Sequence, residues 1–497
     1  MPKLESYWNA WQEDPEEKRR TRVIWLVVAL LLFIFQIITI LFHEFRYPSK
    51  TVAWLVILFV FPIIGFVMYY FLAKEYRQRK IVRRRGLRYI PDPRHESRRY
   101  AASAGLDESA MDGLWKEPRL YALLNNIPSA SFTKQNEVRV LTDAEVAYPA
   151  MLEAMERARE TIHFEFYTIR HDETGKKFQQ VLIRKAADGV KVRCIFDGVG
   201  SYKLDNRFVS ELQQAGVEVC IFLPPLIAFF DKRMNYRNHR KIVVVDGIRG
   251  YIGGLNIGDE YLGGDPKLGF WRDTHLELVG DAVYSLQYTF IQDWLFVSGE
   301  QLTDAALFPE HHNTGNKRVQ MISSGPDAHW DAILEMYFGA ITTAKKRIFI
   351  ATPYFVPDPS ISMGLKTAAI SGVDVRIIYP ARPDSKLVNY ASLSYFEELM
   401  QAGVRFYSYQ KGFIHSKVLI MDDILASVGT ANMDMRSFFS NFELNAVLYD
   451  KETIQRLEAD FLQDLKNSKE LKLETFQQRS RLQKGKEVAA RLLSPLF

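Results

Sequence analysis

Cysteine is nearly missing from this chain: among 497 residues, only Cys194 and Cys220 carry a thiol. Both lie inside apolar runs that predict strands, so we expect two free, buried thiols rather than a disulfide. This expectation fits a reducing compartment.

Sequence signals for a metal or a nucleotide are lacking too. His311 and His312 are adjacent in a polar stretch without a third ligand at metal-binding spacing, so we expect a solvated pair. The glycines at 253–254 and 263–264 lack the strand-glycine-helix context of a nucleotide loop and predict turns. We therefore expect neither a metal nor a cofactor.

Charge is absent from two segments near the N-terminus, Val23 to Phe42 and, after a short loop, Val52 to Ala73. Each is about twenty residues long, enough to cross a hydrocarbon core of ~30 Å. No small-residue cleavage site separates them, which argues against a signal peptide. The pattern predicts a transmembrane helical hairpin over residues 23–73, preceded by an N-terminal segment over 1–22.

Basic residues concentrate at the two outer ends of this hairpin. They are Lys18, Arg19, Arg20 and Arg22 before it, and Lys74, Arg77, Arg79, Lys80, Arg83, Arg84 and Arg85 after it. The connecting loop has Arg46 and Lys50. By the positive-inside bias, both ends and everything after Lys74 face the cytoplasm. Two interpretations stay open: the basic run is only a topology signal, or it also binds anionic membrane lipid at ~1 kcal/mol per basic residue.

The pattern His-x-Lys-x-x-x-x-Asp occurs twice in the chain. The copies are His239, Lys241 and Asp246, then His415, Lys417 and Asp422. One fixed offset leads from each copy to a Gly-x-x-Asn, which ends at Asn256 and at Asn432. Three such identities alone arise at roughly one position in ten thousand at ordinary residue abundances. The two copies are therefore not a coincidence.

Paired histidines suit the cleavage of a phosphodiester without a metal. One attacks phosphorus as nucleophile and the other gives a proton to the leaving oxygen, because an unperturbed pKa near 6.5 permits both roles. In each copy the histidine and lysine are two apart at the start of an apolar strand, which places them on one face. Lys241 and Lys417 can then neutralise the non-bridging oxygens, and Asn256 and Asn432 can donate hydrogen bonds to them.

The rest of the chain divides into two similar halves, each with alternating strands and helices. The first half predicts strands at 162–167, 190–196 and 217–222 and helices at 177–187 and 208–215. The second predicts strands at 348–351, 373–379 and 404–407 and helices at 360–370 and 387–402. The alternation predicts a mixed sheet with helices on both faces in each half. A duplicated unit can pack about a pseudo-twofold axis, which would bring His239 and His415 face to face.

The apolar stretch from Phe222 to Phe230 contains two prolines, which argue against a regular strand or helix. Such a loop just before the first motif either packs as core or inserts into the lipid interface. The sequence favours neither alternative.

The two His-x-Lys-x-x-x-x-Asp motifs make the chain resemble the phospholipase D superfamily, and within it the bacterial cardiolipin synthases. Further segments carry the likeness: Phe270-Trp271-Arg272-Asp273, Ser324-Gly325-Pro326-Asp327, Thr352-Pro353-Tyr354-Phe355-Val356-Pro357, Asn441-Phe442-Glu443-Leu444 and Arg491-Leu492-Leu493-Ser494-Pro495. The second motif has Thr430 where the first has Gly254, so the two half-sites need not be equivalent.

The resemblance implies an α/β fold with two phospholipase D-like repeats, at 131–310 and 311–497, behind a basic juxtamembrane linker over 74–130. It supports Asp273 and Glu443 as acceptors for the far nitrogen of each histidine, which would fix its tautomer. Asp246 and Asp422 belong to the motif's catalytic set. The turns that follow them favour a role in anchoring loop backbone over contact with phosphate.

The implied activity is that of a membrane enzyme transferring a phosphatidyl group from one phosphatidylglycerol to another, with a phosphatidyl-histidine intermediate. His239 is the predicted nucleophile and His415 the predicted acid and base. The alternatives are a phospholipase D-type hydrolase, or a phosphatidyltransferase with another alcohol acceptor. The hairpin favours phosphatidylglycerol and anionic membrane lipid over nucleic acid as the partner, and the sequence leaves a homo-oligomer open.

Overall fold

The computed structural model describes residues 15–43, 48–62, 65, 69, 113–127, 130–224, 236–312, 315–328 and 330–494. The chain forms two compact units, Met1–Glu75 and Tyr76–Phe497. The basic run after Lys74, most of the predicted linker over 74–130 and most of the 222–230 loop lie outside the described residues.

The N-terminal unit contains helices α1 (Pro15–His43) and α2 (Pro48–Val60). Within the described residues, one helical segment, Arg19–Phe42, is long and apolar enough to cross a membrane. The edge of the Phe33 ring packs on Phe59 with centroids 5.3 Å apart, so the two helices contact each other. Much of the second predicted span lies outside the described residues, so one helix of membrane-spanning length, rather than the complete hairpin, is observed.

The C-terminal unit is an α/β structure. Its strands are β1 (Ala130–Thr142), β2 (Thr161–Phe166), β3 (Lys191–Asp197), β4 (Glu218–Phe222), β5 (Lys241–Val245), β6 (Arg249–Gly253), β7 (Phe270–Arg272), β8 (Thr274–Gly280), β9 (Lys317–Ser324), β10 (Arg347–Ala351), β11 (Phe355–Val356), β12 (Asp374–Pro380), β13 (Arg405–Tyr409), β14 (Gly412–Ile414), β15 (Val418–Met421), β16 (Leu425–Gly429), β17 (Met433–Asp434), β18 (Glu443–Leu448) and β19 (Ser468–Glu470). Its helices are α3 (Pro118–Asn126), α4 (Ala144–Glu156), α5 (Glu173–Ala187), α6 (Asn206–Gln214), α7 (Ala282–Ser298), α8 (Ala332–Thr343), α9 (Pro359–Ile370), α10 (Lys386–Gln401), α11 (Met435–Phe439), α12 (Lys451–Lys466), α13 (Leu473–Gln477) and α14 (Arg481–Leu493).

One 15-stranded sheet runs through both halves, in the order β19-β13-β12-β10-β15-β16-β18-β9-β1-β8-β6-β5-β2-β3-β4. Read outward from the central β9 and β1, which pair antiparallel, the two halves have corresponding strands in the same order. The motif strands β15 and β5 occupy equivalent places. Two halves related by a twofold axis through the sheet centre would have this order. The boundary between the halves at residues 310 and 311 stays a prediction.

Alternate side chains of the strands enter different cores, as expected for a sheet covered on both faces. Ile348 and Ile350 of β10 join the cluster formed with α8, α9 and α10, while Phe349 joins another cluster on the opposite face. That second cluster also contains Ile242 of β5, so it continues from one half into the other. A shared core therefore fixes the two motif strands in one body.

All the strands and helices predicted in the two halves are present. The largest shift is in α5, which begins at Glu173 because the Asp172 side chain accepts from the Gly175 N–H and caps the helix. The cysteines are free as predicted, with Cys194 buried and Cys220 half-buried.

The sequence predicts that the adjacent His311 and His312 are both solvated, and this is correct for one of them. His312 is exposed, but His311 is buried: it stacks on Tyr284 with ring centroids 4.2 Å apart, and its Nε2 lies 2.9 Å from the Gly247 carbonyl oxygen. Stacking on Tyr284 of α7 explains why His311 is buried. The sequence around His311 gives no information about so distant a partner, so the prediction failed there.

Candidate active site

Each motif lysine hydrogen-bonds the backbone of its own histidine. Nζ of Lys241 donates to the His239 carbonyl oxygen, and Nζ of Lys417 donates to the His415 carbonyl oxygen, both at 2.6 Å. His239 lies two residues before β5 and His415 three before β15, and all four side chains are buried. Each half therefore holds an imidazole and an ammonium group together.

The two halves exchange partners at the histidines. Nδ1 of His239 lies 3.0 Å from Oε2 of Glu443 in the second half, and Nδ1 of His415 lies 2.7 Å from Oδ2 of Asp273 in the first. A carboxylate can only accept, so Nδ1 carries the hydrogen and Nε2 is left as the free nitrogen. Each half-site is thus completed by a carboxylate from the other repeat.

Short backbone pairings hold this exchange in register. The His239 N–H donates to the Phe442 carbonyl oxygen at 3.0 Å, and the His415 N–H donates to the Arg272 carbonyl oxygen at 2.7 Å. Phe442 and Arg272 immediately precede the two carboxylates. A parallel pairing of β14 with β7 extends the second contact. The backbone therefore aims each imidazole at its acid.

Burial dominates the titration of both histidines. It lowers the pKa of His239 to about 4 despite attraction from Glu443, with Lys241 and Lys417 acting in the same direction as burial. Burial, followed by the charge of Lys417, lowers the pKa of His415 to about 4 against attraction from Asp273; Lys241 adds to the decrease. Each histidine therefore responds to the lysines of both motifs, and both imidazoles are neutral near pH 7.

The pKa values of the charged neighbours are shifted as well. Burial lowers the pKa of Lys241 to about 7 and that of Lys417 to about 8, although Glu443 and Asp273 attract both. Burial opposes ionisation of Glu443, but His239, Lys241 and the Thr430 hydroxyl outweigh it and lower its pKa to about 2. The pKa of Asp273 is also lowered, because contact with His415 overcomes burial. The site therefore combines ionised acids with lysines that an arriving anion would readily keep protonated.

The two motif asparagines sit in different hydrogen-bond settings. Oδ1 of Asn256 accepts from the Thr168 N–H at 3.0 Å, which leaves its NH₂ group as the donor. The Asn432 side chain is hydrogen-bonded to Asp434 and lowers the pKa of that acid, although burial raises it overall. Both side chains are buried.

The motif aspartates lie at the far ends of their strands. The Asp246 carboxylate accepts from the N–H groups of Arg159, Glu160 and Thr161. The Asp422 carboxylate accepts in the same way from Lys345, Lys346 and Arg347. Within the described part of the chain, no hydrogen bond joins either aspartate to the motif residues His239, Lys241, His415 and Lys417. Both instead tie the following turn to a neighbouring strand.

Gly254 and Thr430 make the two half-sites chemically different. A Cβ atom at Gly254 would stand 2.0 Å from Oδ1 of Asp273, so this position tolerates no side chain. The Thr430 hydroxyl instead donates to Oε2 of Glu443, the oxygen that also accepts from His239. Nδ2 of Asn441 donates to the other oxygen at 3.1 Å. Glu443 is therefore held by two side-chain donors from its own half, whereas Asp273 accepts from the Thr274 backbone N–H and from Nε1 of Trp271.

Several neighbours of the histidines are not predicted by the motifs. The Tyr167 ring meets His239 edge-on with centroids 4.9 Å apart, and Nζ of Lys241 lies 5.3 Å from the centre of the tyrosine ring. Trp271 packs on His415 with centroids 5.0 Å apart. Trp271 could have been inferred from its place two residues before Asp273. Tyr167 offers no such signal, because only strand order brings it to the motif.

Comparisons with known proteins agree on one family. The family model described as "Cardiolipin synthase, PLD-like domain" matches residues 151–294 and 337–465, and a phospholipase D-nuclease N-terminal model matches residues 31–74. A cardiolipin synthase from Geobacillus sp. (strain WCH70) is 46% identical over 478 residues, 95% of this chain and 93% of the relative. Cardiolipin synthase 2 from Bacillus anthracis is 44% identical over 467 residues, 92% and 89% of the respective chains.

A solved structure shares the fold at low sequence identity. The phosphatidylserine synthase of Haemophilus influenzae Rd KW20 superposes with a TM-score of 0.60 at 16% identity, covering 77% of this chain and 100% of that one.

Proposed function

The chain belongs to the cardiolipin synthase family of phospholipase D-like proteins, and we propose that it joins two phosphatidylglycerol molecules into cardiolipin and releases glycerol. The observation that carries this proposal is the exchange of carboxylates, in which His239 pairs with Glu443 and His415 with Asp273. It makes one site with two free imidazole nitrogens, as a two-step displacement at phosphorus requires.

In the first step Nε2 of His239 attacks the phosphorus of one phosphatidylglycerol. The phosphorus–oxygen bond to glycerol breaks, and the glycerol oxygen takes a proton from His415. The lowered pKa of His239 keeps it neutral and nucleophilic. The phosphodiester brings a negative charge that opposes the burial penalty and raises the pKa of His415, so the acid becomes protonated as substrate binds.

In the second step the primary hydroxyl of another phosphatidylglycerol attacks the phosphatidyl-histidine. The phosphorus–nitrogen bond breaks, a phosphorus–oxygen bond forms, and the hydroxyl proton passes to His415. Asp273 and Glu443 hold the Nδ1 hydrogens throughout and orient the rings. The near symmetry of the half-sites leaves the choice of His239 as nucleophile to be tested.

Charge stabilisation in both steps comes from Lys241 and Lys417, helped by the amide groups of Asn256 and Asn432. Because two imidazoles and two ammonium groups supply the nucleophile, acid and countercharge, the reaction needs no metal or other cofactor. We assign Asp246 and Asp422 a structural role, because their carboxylates bind backbone amides of adjacent strands.

The protein is membrane-associated through its apolar N-terminal segment. We propose two spans over residues 23–73 with the catalytic repeats in the cytoplasm, on the basis of the two apolar runs and the basic residues at their outer ends. Phosphatidylglycerol in the adjacent leaflet would serve as donor and acceptor.

Product analysis tests the proposed reaction. The purified full-length enzyme is reconstituted in vesicles containing phosphatidylglycerol labelled in both the acyl chain and the headgroup glycerol. We expect cardiolipin and free glycerol as main products, with phosphatidic acid minor, and reversal by excess glycerol. Phosphatidic acid as main product at every phosphatidylglycerol density would show a hydrolase instead.

A further inference from the structure

Arg436 is a cation beside the candidate site that has no role in the chemistry described above. It lies in α11, four residues after the motif asparagine Asn432. Its side chain is half-buried, and among the residues that the structure describes no hydrogen bond or ion pair engages its guanidinium group. A half-buried arginine without an acidic partner is a ready site for an anion.

The backbone fixes Arg436 between two parts of the site. Its carbonyl oxygen accepts from the N–H groups of Ser440 and Asn441, each at 2.9 Å. Asn441 in turn donates from its side chain to Glu443, the partner of His239. The start of the same short helix is held by Asp434, whose carboxylate accepts from the Ser437 N–H. Arg436 is thus positioned by groups that also position the catalytic machinery.

Tyr167 packs against the proposed nucleophile, and the charge of Arg436 acts on its hydroxyl. The tyrosine ring touches His239, with centroids 4.9 Å apart. Burial raises the pKa of the Tyr167 hydroxyl, as does the charge of Asp197, while the charges of Arg436 and Arg237 act in the opposite direction. Arg237 is already ion-paired with Asp197, Nη1 to Oδ1, at 3.6 Å. Among the described residues, Lys241 and Arg436 are therefore the cations near Tyr167 that no carboxylate pairs, and Lys241 is already assigned to the donor phosphate.

The equivalent position in the first half carries the opposite charge. Counting from the motif histidines, Arg436 corresponds to Glu260. The Glu260 carboxylate forms an ion pair with Arg170 at 3.1 Å. In the first half the charge at this position is paired, whereas among the described residues the charge of Arg436 in the second half is not. The two sides of the site therefore offer different electrostatic surroundings to two substrate molecules.

We propose that Arg436 binds the phosphate of the acceptor lipid while the acceptor's hydroxyl attacks the phosphatidyl-histidine. This inference rests on the proposed function. The donor phosphate becomes bonded to His239 between the two lysines, and in the product a single glycerol bridge joins it to the acceptor phosphate. Arg436 is a half-buried cation in the short helix whose backbone bonds Asn441, and Asn441 donates to the carboxylate partner of His239. A cation at this place fits that second phosphate. Transfer to phosphatidylglycerol would then be favoured over transfer to water or neutral alcohol, since neither carries an anion.

Two acceptors of different charge test the proposal with full-length enzyme in phosphatidylglycerol vesicles. Cardiolipin formation measures the anionic acceptor, and incorporation of labelled free glycerol into phosphatidylglycerol measures a neutral one. For Arg436→Gln we expect cardiolipin formation to fall about 10- to 100-fold, the usual cost of a lost charged hydrogen bond. Glycerol incorporation should stay near the wild-type rate. Arg436→Lys should recover part of the loss, and Arg119→Gln, at an exposed arginine in α3, should match wild type in both assays.

Equal loss of both reactions in Arg436→Gln and Arg436→Lys, or no loss of either, would overturn the acceptor assignment. A thermal melting curve for each variant identifies a folding defect, and in that case the ratio of the two rates for the Lys variant decides. Failure of the proposed function looks different, because the wild-type enzyme itself would then form phosphatidic acid and no cardiolipin.

Discussion

His239 is hydrogen-bonded through Nδ1 to Oε2 of Glu443, a residue 204 positions later in the chain, at 3.0 Å. The reciprocal contact joins His415 to Asp273, 142 positions earlier. Neither repeat therefore contains a complete histidine–carboxylate pair of its own. Duplication produces one catalytic centre because each repeat supplies the imidazole of one pair and the acid of the other.

Replacing Glu443 with Gln should reduce kcat by about 10²- to 10⁴-fold with little change in KM, because the charge that orients His239 and fixes its tautomer is lost. Steady-state rates of cardiolipin formation, with melting curves to verify folding, measure this. Glu474→Gln, at an exposed glutamate of α13, is the matched control and should behave like wild type. Nearly full activity of Glu443→Gln would show that the contact has no part in catalysis.

Gly254→Ala should impair the pair of His415 and Asp273 without replacing any charged residue. The new methyl would collide with Oδ1 of Asp273, and displacing that carboxylate by about 1 Å from His415 should cost on the order of 10²-fold in rate. Gly485→Ala in α14 is the control, since a Cβ there meets nothing within 4 Å. An active Gly254→Ala enzyme would mean that the exact place of Asp273 does not matter.

Asp246→Asn and Asp422→Asn should lower stability more than activity. Each aspartate has a positive φ, 53° and 50°, which asparagine also tolerates. The substitution removes a charged acceptor for three backbone N–H groups, at a cost of about 1–3 kcal/mol. We expect a lower Tm and a nearly unchanged kcat for the folded fraction. An unchanged Tm with loss of activity would instead give these residues a direct catalytic role.

Lys241→Met should change how stability depends on pH. Burial lowers the folded-state pKa of Lys241 to about 7, while the unfolded chain keeps its lysine protonated to about pH 10.4. Because the unfolded state binds more protons between these values, this lysine makes stability rise with pH there. Lys241→Met removes this contribution and the cost of burying a charged lysine. The Tm of Lys241→Met should therefore exceed that of wild type most near pH 6.5, and the difference should shrink toward pH 9.5. A pH-independent difference would contradict the lowered pKa.

Much of the fold follows from sequence because the local signals are strong. Alternating apolar strands and helices give the ten predicted elements of the two halves, and the duplicated motif identifies His239 and His415. The continuous sheet is not predictable in this way, because pairing β1 with β9 depends on long-range contacts that periodicity does not encode. The same limit applies to the crossed acids: Glu443 can be named as an acceptor, but the sequence does not say which histidine it meets.

Roles that depend on three-dimensional neighbours were also beyond the sequence. No sequence signal separates Arg436 from a surface arginine, and its link to the site through Asn441 and Glu443 exists only in the fold. Thr430 shows only that the motifs differ, and its bond to Glu443 gives that difference a chemical meaning. In the motif aspartates, the structure favours the anchoring role that the following turns had indicated.

The most direct test of the central claim is to map the covalent intermediate. The full-length enzyme is mixed with acyl-labelled phosphatidylglycerol, quenched within one turnover, digested and analysed by mass spectrometry, with His239→Ala and His415→Ala in parallel. We predict a phosphatidyl adduct on the peptide containing His239 in the wild type and none in His239→Ala. An adduct on the His415 peptide would reverse the two roles. Full cardiolipin synthesis by either alanine variant would contradict a single site built from both motifs.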